Sequence, residues 1–432
     1  MQRYESYKPS GAAWLGNVPF HWDVQPLRAV TSLKSDKNRP DLPVLSVYRE
    51  YGVILKDSRD DNHNATSLDT STYKVVKPGD LVVNKMKAWQ GSMGVSAHEG
   101  IVSPAYITCT TRADRVRPAY LHYLLRSSPL IGVYNSLSYG VRVGQWDMHY
   151  EDFKQIQIPL PTKDEQDRIV AFLDQKTAEI DAAIAKKEQL IQLLHEQKSS
   201  LINNALTRGL KAGENLRSSG VSWIGDIPED WSVSKLNRIA FYQEGPGLRT
   251  WQFTESGTKV ICVTNICPPE ISFEKMTKYI STAEYKRRYK HFTVQKGDIL
   301  LASSGASWGK VAEYKAEEEL ILNTSTIRIN SLRSGGVTKD FIKSVLQARY
   351  VADQLAGLLT GSCQPNFGPT HLNKLMCTHP KSKVEQDEIS TYVEEIAVRT
   401  QKAVESILET VSALQEMKSA VCAAVVCGKL KV

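Results

Sequence analysis

From Asp164 to Leu206 the chain runs for 43 residues without a Gly or a Pro. Its apolar residues fall at Ile169, Leu173, Ile180, Ile184, Ile191, Leu194, Leu201 and Ala205, mostly in three-, four- and seven-residue steps. That spacing is the seam of a long helix that meets one partner helix, as in a coiled coil. At ~1.5 Å per residue the helix is roughly 60 Å long, more than the width of a small domain. So narrow a stripe cannot be buried by its own helix, so a partner is required. The chain supplies one from Val384 to Val426, with Ile389, Val393, Ile396, Val404, Ile407, Val411, Leu414, Val421 and Val425 in the same pattern.

The pairing of helices is part of a larger duplication. Ser10-Gly11-Ala-Ala-Trp14-Leu15-Gly16-Asn17-Val18-Pro19-Phe-His-Trp22-Asp-Val24 returns as Ser219-Gly220-Val-Ser-Trp223-Ile224-Gly225-Asp226-Ile227-Pro228-Glu-Asp-Trp231-Ser-Val233. Ser10 to Ser219 and Trp22 to Trp231 are both 209 positions, with no gap between. Further on, Lys77-Pro78-Gly79-Asp80-Leu81 corresponds to Gln295-Lys296-Gly297-Asp298-Ile299, and Glu165-Gln166 to Glu385-Gln386 at a spacing of 220. The second copy therefore carries an insertion of about ten residues between these anchors. Each copy is a globular head followed by a long helix.

Within the heads, the β-branched, turn-bounded runs Val44–Val47, Tyr73–Val76, Leu81–Val83 and Ile101–Thr108 predict strands. In the second copy Val260–Val263, Phe292–Val294, Ile299–Leu301 and Leu320–Ile329 predict the same. Helical stretches are expected over Pro118–Arg126 and Thr338–Leu359, so the class is α+β. Thr162 and Ser382 stand as N-cap hydroxyls ahead of acidic first turns, each preceded by Pro. The expected division is a first head over 1–161, a helix over 162–207 and a linker over 208–218. A second head follows over 219–381, then a helix over 382–427 with a short tail to 432. If the helices run antiparallel, two heads related by a pseudo-two-fold sit at opposite ends of a rod. Such a ruler suits a two-part target on duplex DNA, which repeats every ~34 Å; a plain structural spacer is the simpler alternative.

Composition narrows the function. A chain of 432 residues has room for two or more domains. Its net charge of +7 permits nucleic-acid binding without demanding it. No apolar run is long enough to span a membrane, and the N-terminus lacks the apolar core of a signal peptide. The seven cysteines include no C-x-x-C pair, so zinc spacing is absent and reduced, cytoplasmic thiols are expected. No metal and no cofactor is expected. Asn17-Val18-Pro19-Phe20 has Val where an amino-methyltransferase loop requires Pro, and both it and its twin at 226–229 are taken as structural turns. Ser304-Gly305-Ala-Ser-Trp-Gly309-Lys310 lacks the first Gly of a phosphate loop and the hydroxyl after its Lys. Gly245-Pro246-Gly247 lacks a dinucleotide-loop glycine. No paired carboxylates and no nucleophile–base pair stand out. These absences favour a binding protein over an enzyme.

The opening Tyr7-Lys-Pro-Ser-Gly-Ala-Ala-Trp-Leu-Gly-Asn-Val-Pro-Phe-His-Trp22 closely resembles the opening of specificity subunits of Type I restriction–modification systems. So do Ile158-Pro-Leu-Pro161, Glu165-Gln166 and Ile169 leading into the long helix, and the second opening at 219–233. The resemblance covers nearly the whole chain, in the family's order of head, helix, head, helix. One departure is a C-terminal close one residue shorter after Val426 than after Leu206. The resemblance implies two pseudo-repeated target-recognition domains joined by two long antiparallel coiled-coil helices. It implies that each domain reads half of a bipartite double-stranded DNA site and that the helices set the gap. It further implies docking of two modification (methyltransferase) subunits, with restriction (nuclease/translocase) subunits joining that core, and no catalytic centre in the chain itself. A stand-alone DNA methyltransferase and a coiled-coil scaffold without DNA binding are the competing readings.

DNA contacts are expected from cations on phosphates and from Arg, Lys, Asn, Gln, Ser and Thr on base edges. In the first head the loop Asn84, Lys85, Met86, Lys87, Ala88, Trp89, Gln90 follows a strand and carries two cations. Its twin holds Ser303, Ser304, Ser307, Trp308 and Lys310. The second pair of stretches, each shortly before its helix, is Tyr139, Arg142, Gln145 and Gln364, Asn366. The run Lys286, Arg287, Arg288 is the densest basic cluster and suits phosphates, or is simply a solvated face. Trp89 and Trp308 fit a core role as well, and the second pair fits a packed turn.

Overall fold

In the computed structural model, residues 2–59, 66–67, 69–140, 146–211, 213–358 and 366–432 are described. They form two units, one of residues 1–188 with 408–432 and one of residues 189–407. The helices expected over 164–206 and 384–426 are observed as Lys163–Arg208 and Lys383–Val426. Each contributes one part to each unit.

Both helix starts use the anticipated hydroxyl. Thr162 Oγ1 accepts from Glu165 N at 3.4 Å, and Ser382 Oγ from Glu385 N at 3.5 Å. The next residue fixes the helix to its head. Gln166 is fully buried; its Oε1 accepts from Arg117 N at 2.7 Å and its Nε2 donates to Pro161 O at 2.9 Å. Gln386 repeats this with Thr338 N at 2.8 Å and Pro380 O at 2.9 Å. A buried side-chain amide thus satisfies backbone groups that would otherwise be orphaned.

The unit of residues 1–188 and 408–432 is centred on a four-stranded antiparallel sheet ordered Thr31–Lys34, Tyr106–Thr111, Leu81–Asn84, Met93–Val95. The predicted run Ile101–Thr108 is divided: Gly100–Val102 pairs with Lys74–Val76, and Tyr106–Thr111 enters the larger sheet. A turn at Ser103–Ala105 divides them, and no apolar pattern marks it. The repeated motif makes the strand Asn17–Pro19, paired with Tyr7–Pro9, and Asp23–Pro26, paired with Gln157–Leu160. Trp22 and Ile169, Leu173, Val425 and Val426 share one core. Leu173 lies in that core with Val425, while Asp181, further along its helix, pairs at 2.7 Å with Lys418, earlier in its own, so the helix segments here run antiparallel. A second helix, Ser128–Leu137, follows Pro118–Leu125.

The unit of residues 189–407 repeats the plan. Its four-stranded sheet has the same order, Ala240–Glu244, Thr326–Ser331, Ile299–Ala302, Val311–Glu313. Asp226–Pro228 pairs with Leu216–Ser218, and Ser232–Lys235 with Met376–His379. The predicted run Leu320–Ile329 is likewise split, here into Leu320–Leu322 and Thr326–Ser331. Thr338–Leu359 is broken into Lys339–Val345 and Arg349–Leu358. The repeat spacing has already grown to 218 between Leu81 and Ile299, so most of the insertion lies before that strand. Around it this unit builds a five-stranded sheet in which Thr258–Ile261 and Leu320–Leu322 pair in parallel. Trp231, Ile202, Ala205, Leu206, Ile389, Val393 and Ile396 share its main core.

The Gly-Asp pairs have the same job in both heads. Gly79 and Gly297 hold φ of +92° and +91°, a region costly for other residues. The turn lets Asp80 Oδ2 accept from Lys77 N, and Asp298 Oδ2 from Gln295 N, each at 2.8 Å. The six described cysteines are free thiols. No helix of the described residues is long and apolar enough to cross a membrane.

Candidate nucleic-acid interface

In the first head the strand Leu81–Asn84 is buried throughout. Beyond it the chain turns sharply, Lys87 N donating to Asn84 O at 3.0 Å, and a short 3-10 turn over Ala88–Gln90 follows. Gly91, at φ +85°, closes that turn. Ala88 anchors the loop in the core, while Met86 and Lys87 face outward. Trp89 is half-buried and meets Trp146 edge-to-face at 5.1 Å, a favoured aromatic geometry. Met148 N donates to Lys85 O at 3.0 Å, and Lys85 Nζ lies 3.1 Å from Asp147 Oδ2. Asp147 pairs across a short ladder with Tyr139, whose exposed ring stacks on His149 at 4.9 Å. The two stretches singled out in the first head therefore meet in one surface. Burial, then the nearby cations Lys37 and Lys85, hold the Lys74 ammonium below the usual lysine range.

The second head brings its two stretches together in the same way. The buried strand Ile299–Ala302 ends, and a 3-10 turn over Gly305–Ser307 follows. Trp308 is half-buried and meets Phe367 edge-to-face at 5.8 Å. Phe367 N donates to Ser303 O at 3.1 Å, and Ser304 bridges to Asn366. Lys310 is exposed; Ser304 and Ser307 are half-buried. A Cβ added at Gly305 or Gly309 would meet nothing within 4 Å, so both glycines border open space at positive φ. The core role weighed for the two tryptophans is half right: each is partly covered, and what covers it is the neighbouring candidate stretch.

Two expected contact residues need correction. Asn84 is 8% exposed, and its Nδ2 approaches Tyr106 Oη at 3.4 Å. Ser303 is wholly buried and donates to Ser325 O at 3.0 Å. Asn84 ends its buried strand and Ser303 directly follows the strand Ile299–Ala302, so they position their loops rather than present a side chain. Gln90 is half-buried. Arg142, Gln145 and Gln364 lie outside the described residues.

The basic run forms a π turn over Tyr285–Tyr289, with Tyr285 buried and Lys286, Arg287 and Arg288 exposed. Arg288 stands 4.0 Å from Glu284 and over the Tyr289 ring. None of the contacts of these three residues reaches the Ser303–Lys310 loop among the described residues. Arg287 and Arg288 instead line a shallow hollow with Trp251, whose side chain is 78% exposed. An indole beside guanidinium groups suits nucleic-acid stacking. Sequence reasoning missed Trp251; the available signal was an aromatic two residues after Arg249 in a stretch opened by Gly245-Pro246-Gly247. Among the described residues no cluster of His, Cys, Asp and Glu could hold a metal ion.

Residues 61–193 match the model of the Type I restriction modification DNA specificity domain. The chain is 25% identical over 304 residues to the Type I restriction enzyme MjaVIII specificity subunit of Methanocaldococcus jannaschii, covering 68% of each protein. It is 22% identical to the StySPI specificity subunit of Salmonella potsdam over 93% of this chain and 88% of that one. Its fold is similar to that of a chain from a type I R-M system solved in a study of complex assembly and conformational transition. That match has a TM-score of 0.69 and 14% identity, over 96% of this chain and 99% of the other. The HsdS subunit from Thermoanaerobacter tengcongensis matches at a TM-score of 0.52 and 14% identity, over 96% and 98%.

Proposed function

We propose, from its similarity to type I restriction–modification specificity subunits, that the chain belongs to that family and is the non-catalytic DNA-recognition subunit of such a system. Each head reads one half of a bipartite double-stranded site. The two long helices set the gap between the halves and dock two modification subunits, and restriction subunits join the assembled core. The complex works in the cytoplasm, where the DNA is. The observation that carries this reading is the repeated meeting of loops: Trp89 on Trp146 in one head, Trp308 on Phe367 in the other. A chain duplicated for stiffness alone has no need to join a strand-end loop to a second stretch through an aromatic pair twice. Reading DNA requires what those loops offer, cations for phosphates and short polar side chains for base edges. The transferase and nuclease chemistry belongs to the partner subunits, and this chain decides where they act.

The test is to map methylated adenines genome-wide in cells holding the partner modification subunits, with and without this chain. A split motif with a fixed gap that disappears without the chain supports the reading and names both half-sites. Methylation that is unchanged when the chain is removed sinks it.

A further inference from the structure

Residues 249–290 of the second head carry eight Lys and Arg against four Glu, so this short stretch holds +4 of the chain's net +7. The fold sets four of those cations along one path. Lys275 and Lys278 line a polar cleft of about 280 Å3 whose wall includes Ser304 of the recognition loop. Lys278 Nζ then stands 4.9 Å over the Phe253 ring. Trp251, two residues before Phe253, lines the shallow hollow with Arg287 and Arg288. All four cations are exposed. Lys275 Nζ meets the Cys267 sulfur at 3.5 Å, and Arg288 stands 4.0 Å from Glu284. No ion pair of Lys275, Lys278 or Arg287 is found among the described residues.

The exposed indole is firmly mounted. Leu248 and Phe253, on either side of its turn, pack against the small core of Val260, Ile280, Tyr285 and Ile321. Gln252 is buried and ties the turn down. Its Oε1 accepts from Arg249 N, and its Nε2 donates to Glu284 Oε1 and Tyr289 Oη, each at 2.9 Å. One amide thus joins the Trp251 turn to the π turn that carries Arg287 and Arg288, and π turns are frequent at functional sites. An indole left 78% exposed beside a core forgoes the stabilisation of burial. A partner that covers it restores that burial.

A single small anion needs cations that converge on one point. Four cations in succession suit a row of phosphates instead. Base faces are hidden in an intact duplex, whereas a deoxyribose offers an apolar face between phosphates. We propose that this path holds the sugar–phosphate backbone of the DNA beside the bases read by the second head. Lys275, Lys278, Arg287 and Arg288 take phosphates, and Trp251 covers a deoxyribose. The path contributes affinity and register but no sequence information, because phosphates and sugars are the same in every sequence. This inference rests on the proposed function and adds to it Trp251, Lys275, Lys278 and a sequence-independent role for the basic turn.

The test measures DNA binding by the assembled complex with its modification subunits, on cognate and non-cognate duplexes over a range of salt. Lys275→Ala with Lys278→Ala should lower the slope of log K against log salt by about 2 and weaken binding to both duplexes about tenfold or more. Arg287→Ala with Arg288→Ala, at the other end of the path, should lower the slope by about 1 to 2, since Arg288 is shared with Glu284. Trp251→Ala should weaken both duplexes several-fold with the slope unchanged, because the indole carries no charge. Methylome sequencing should return the wild-type motif in all three variants, which also shows that each folds and assembles. Where a double variant directs no methylation, its two single variants are read in its place, each lowering the slope by about 1 or less. An unchanged slope at either end of the path, unchanged affinity in Trp251→Ala, or a motif altered at any base overturns the inference. If the wild-type complex directs no split motif at all, it is the proposed function that fails instead.

Discussion

The ammonium of Lys85 lies 3.1 Å from the carboxylate of Asp147. The pair joins the loop after Leu81–Asn84 to the hairpin formed by Tyr139 and Asp147, over 62 positions of sequence. Both partners are more than a third exposed, so the pair contributes little to stability. Its consequence is electrostatic: one of the two loop cations is already paired before DNA arrives, and no ion pair of Lys87 is found among the described residues.

That difference is measurable in the salt dependence of DNA binding by the assembled complex. Lys87→Ala should lower the slope of log K against log salt by about 1. Lys85→Ala should lower it by less, since Lys85 is already paired with Asp147 and is less available to a phosphate. Replacing both together should weaken binding further and flatten the dependence. An unchanged slope in the double variant takes this loop out of the interface.

The buried glutamines at the helix starts make a second pair of expectations. Gln166→Ala and Gln386→Ala each strand a backbone N–H and a carbonyl inside a head. Each should cost about 3 kcal/mol, read by denaturant unfolding of the full chain. Substitution of the neighbouring exposed Asp167 should cost under ~1 kcal/mol, because its pairing with Arg117 is at the surface. Equal losses in all three would show that the amides do not anchor the helices.

Acid should weaken the first unit through His122. Burial, with Arg126 beside it, pushes its imidazole down to about 4 from an ordinary value of 6.5. A histidine depressed on folding stabilises fully above its unfolded value, and that stability is lost as pH falls from about 6.5 toward 4. His122→Gln should therefore flatten the pH dependence of unfolding across that window. A variant curve parallel to wild type would show that His122 does not titrate in this way.

Each long helix contributes to both units, so its length is a shared constraint. Inserting one heptad, about 10 Å of helix, into Lys163–Arg208 alone should abolish recognition of the bipartite site. Methylome sequencing with the variant checks it. The same split motif with the same gap would mean that the helices do not set the spacing.

The repeat, the helices and the caps were legible in the chain because each rests on local chemistry. A stretch with no Gly or Pro and a narrow apolar stripe has one compact fate, and Thr162 and Ser382 mark its starts through their own neighbours. The strand Leu81–Asn84 was likewise visible from its β-branched residues and the Gly-Asp turn before it. The candidate loops were found because they stand in both copies, not because any of their residues is diagnostic. What the sequence left undecided depends on contacts over long separations. Asn84 and Ser303 look like DNA-facing polar residues until the sheet register turns them inward. The division of Ile101–Thr108 and Leu320–Ile329 follows from which strand each half pairs with. Trp251 is an ordinary aromatic in the chain, and only the π turn beside it supplies the guanidinium groups. Periodicity and capping act over a few residues and can be read from the chain. Burial and long-range pairing are properties of three-dimensional neighbours, and the tertiary structure alone decides them.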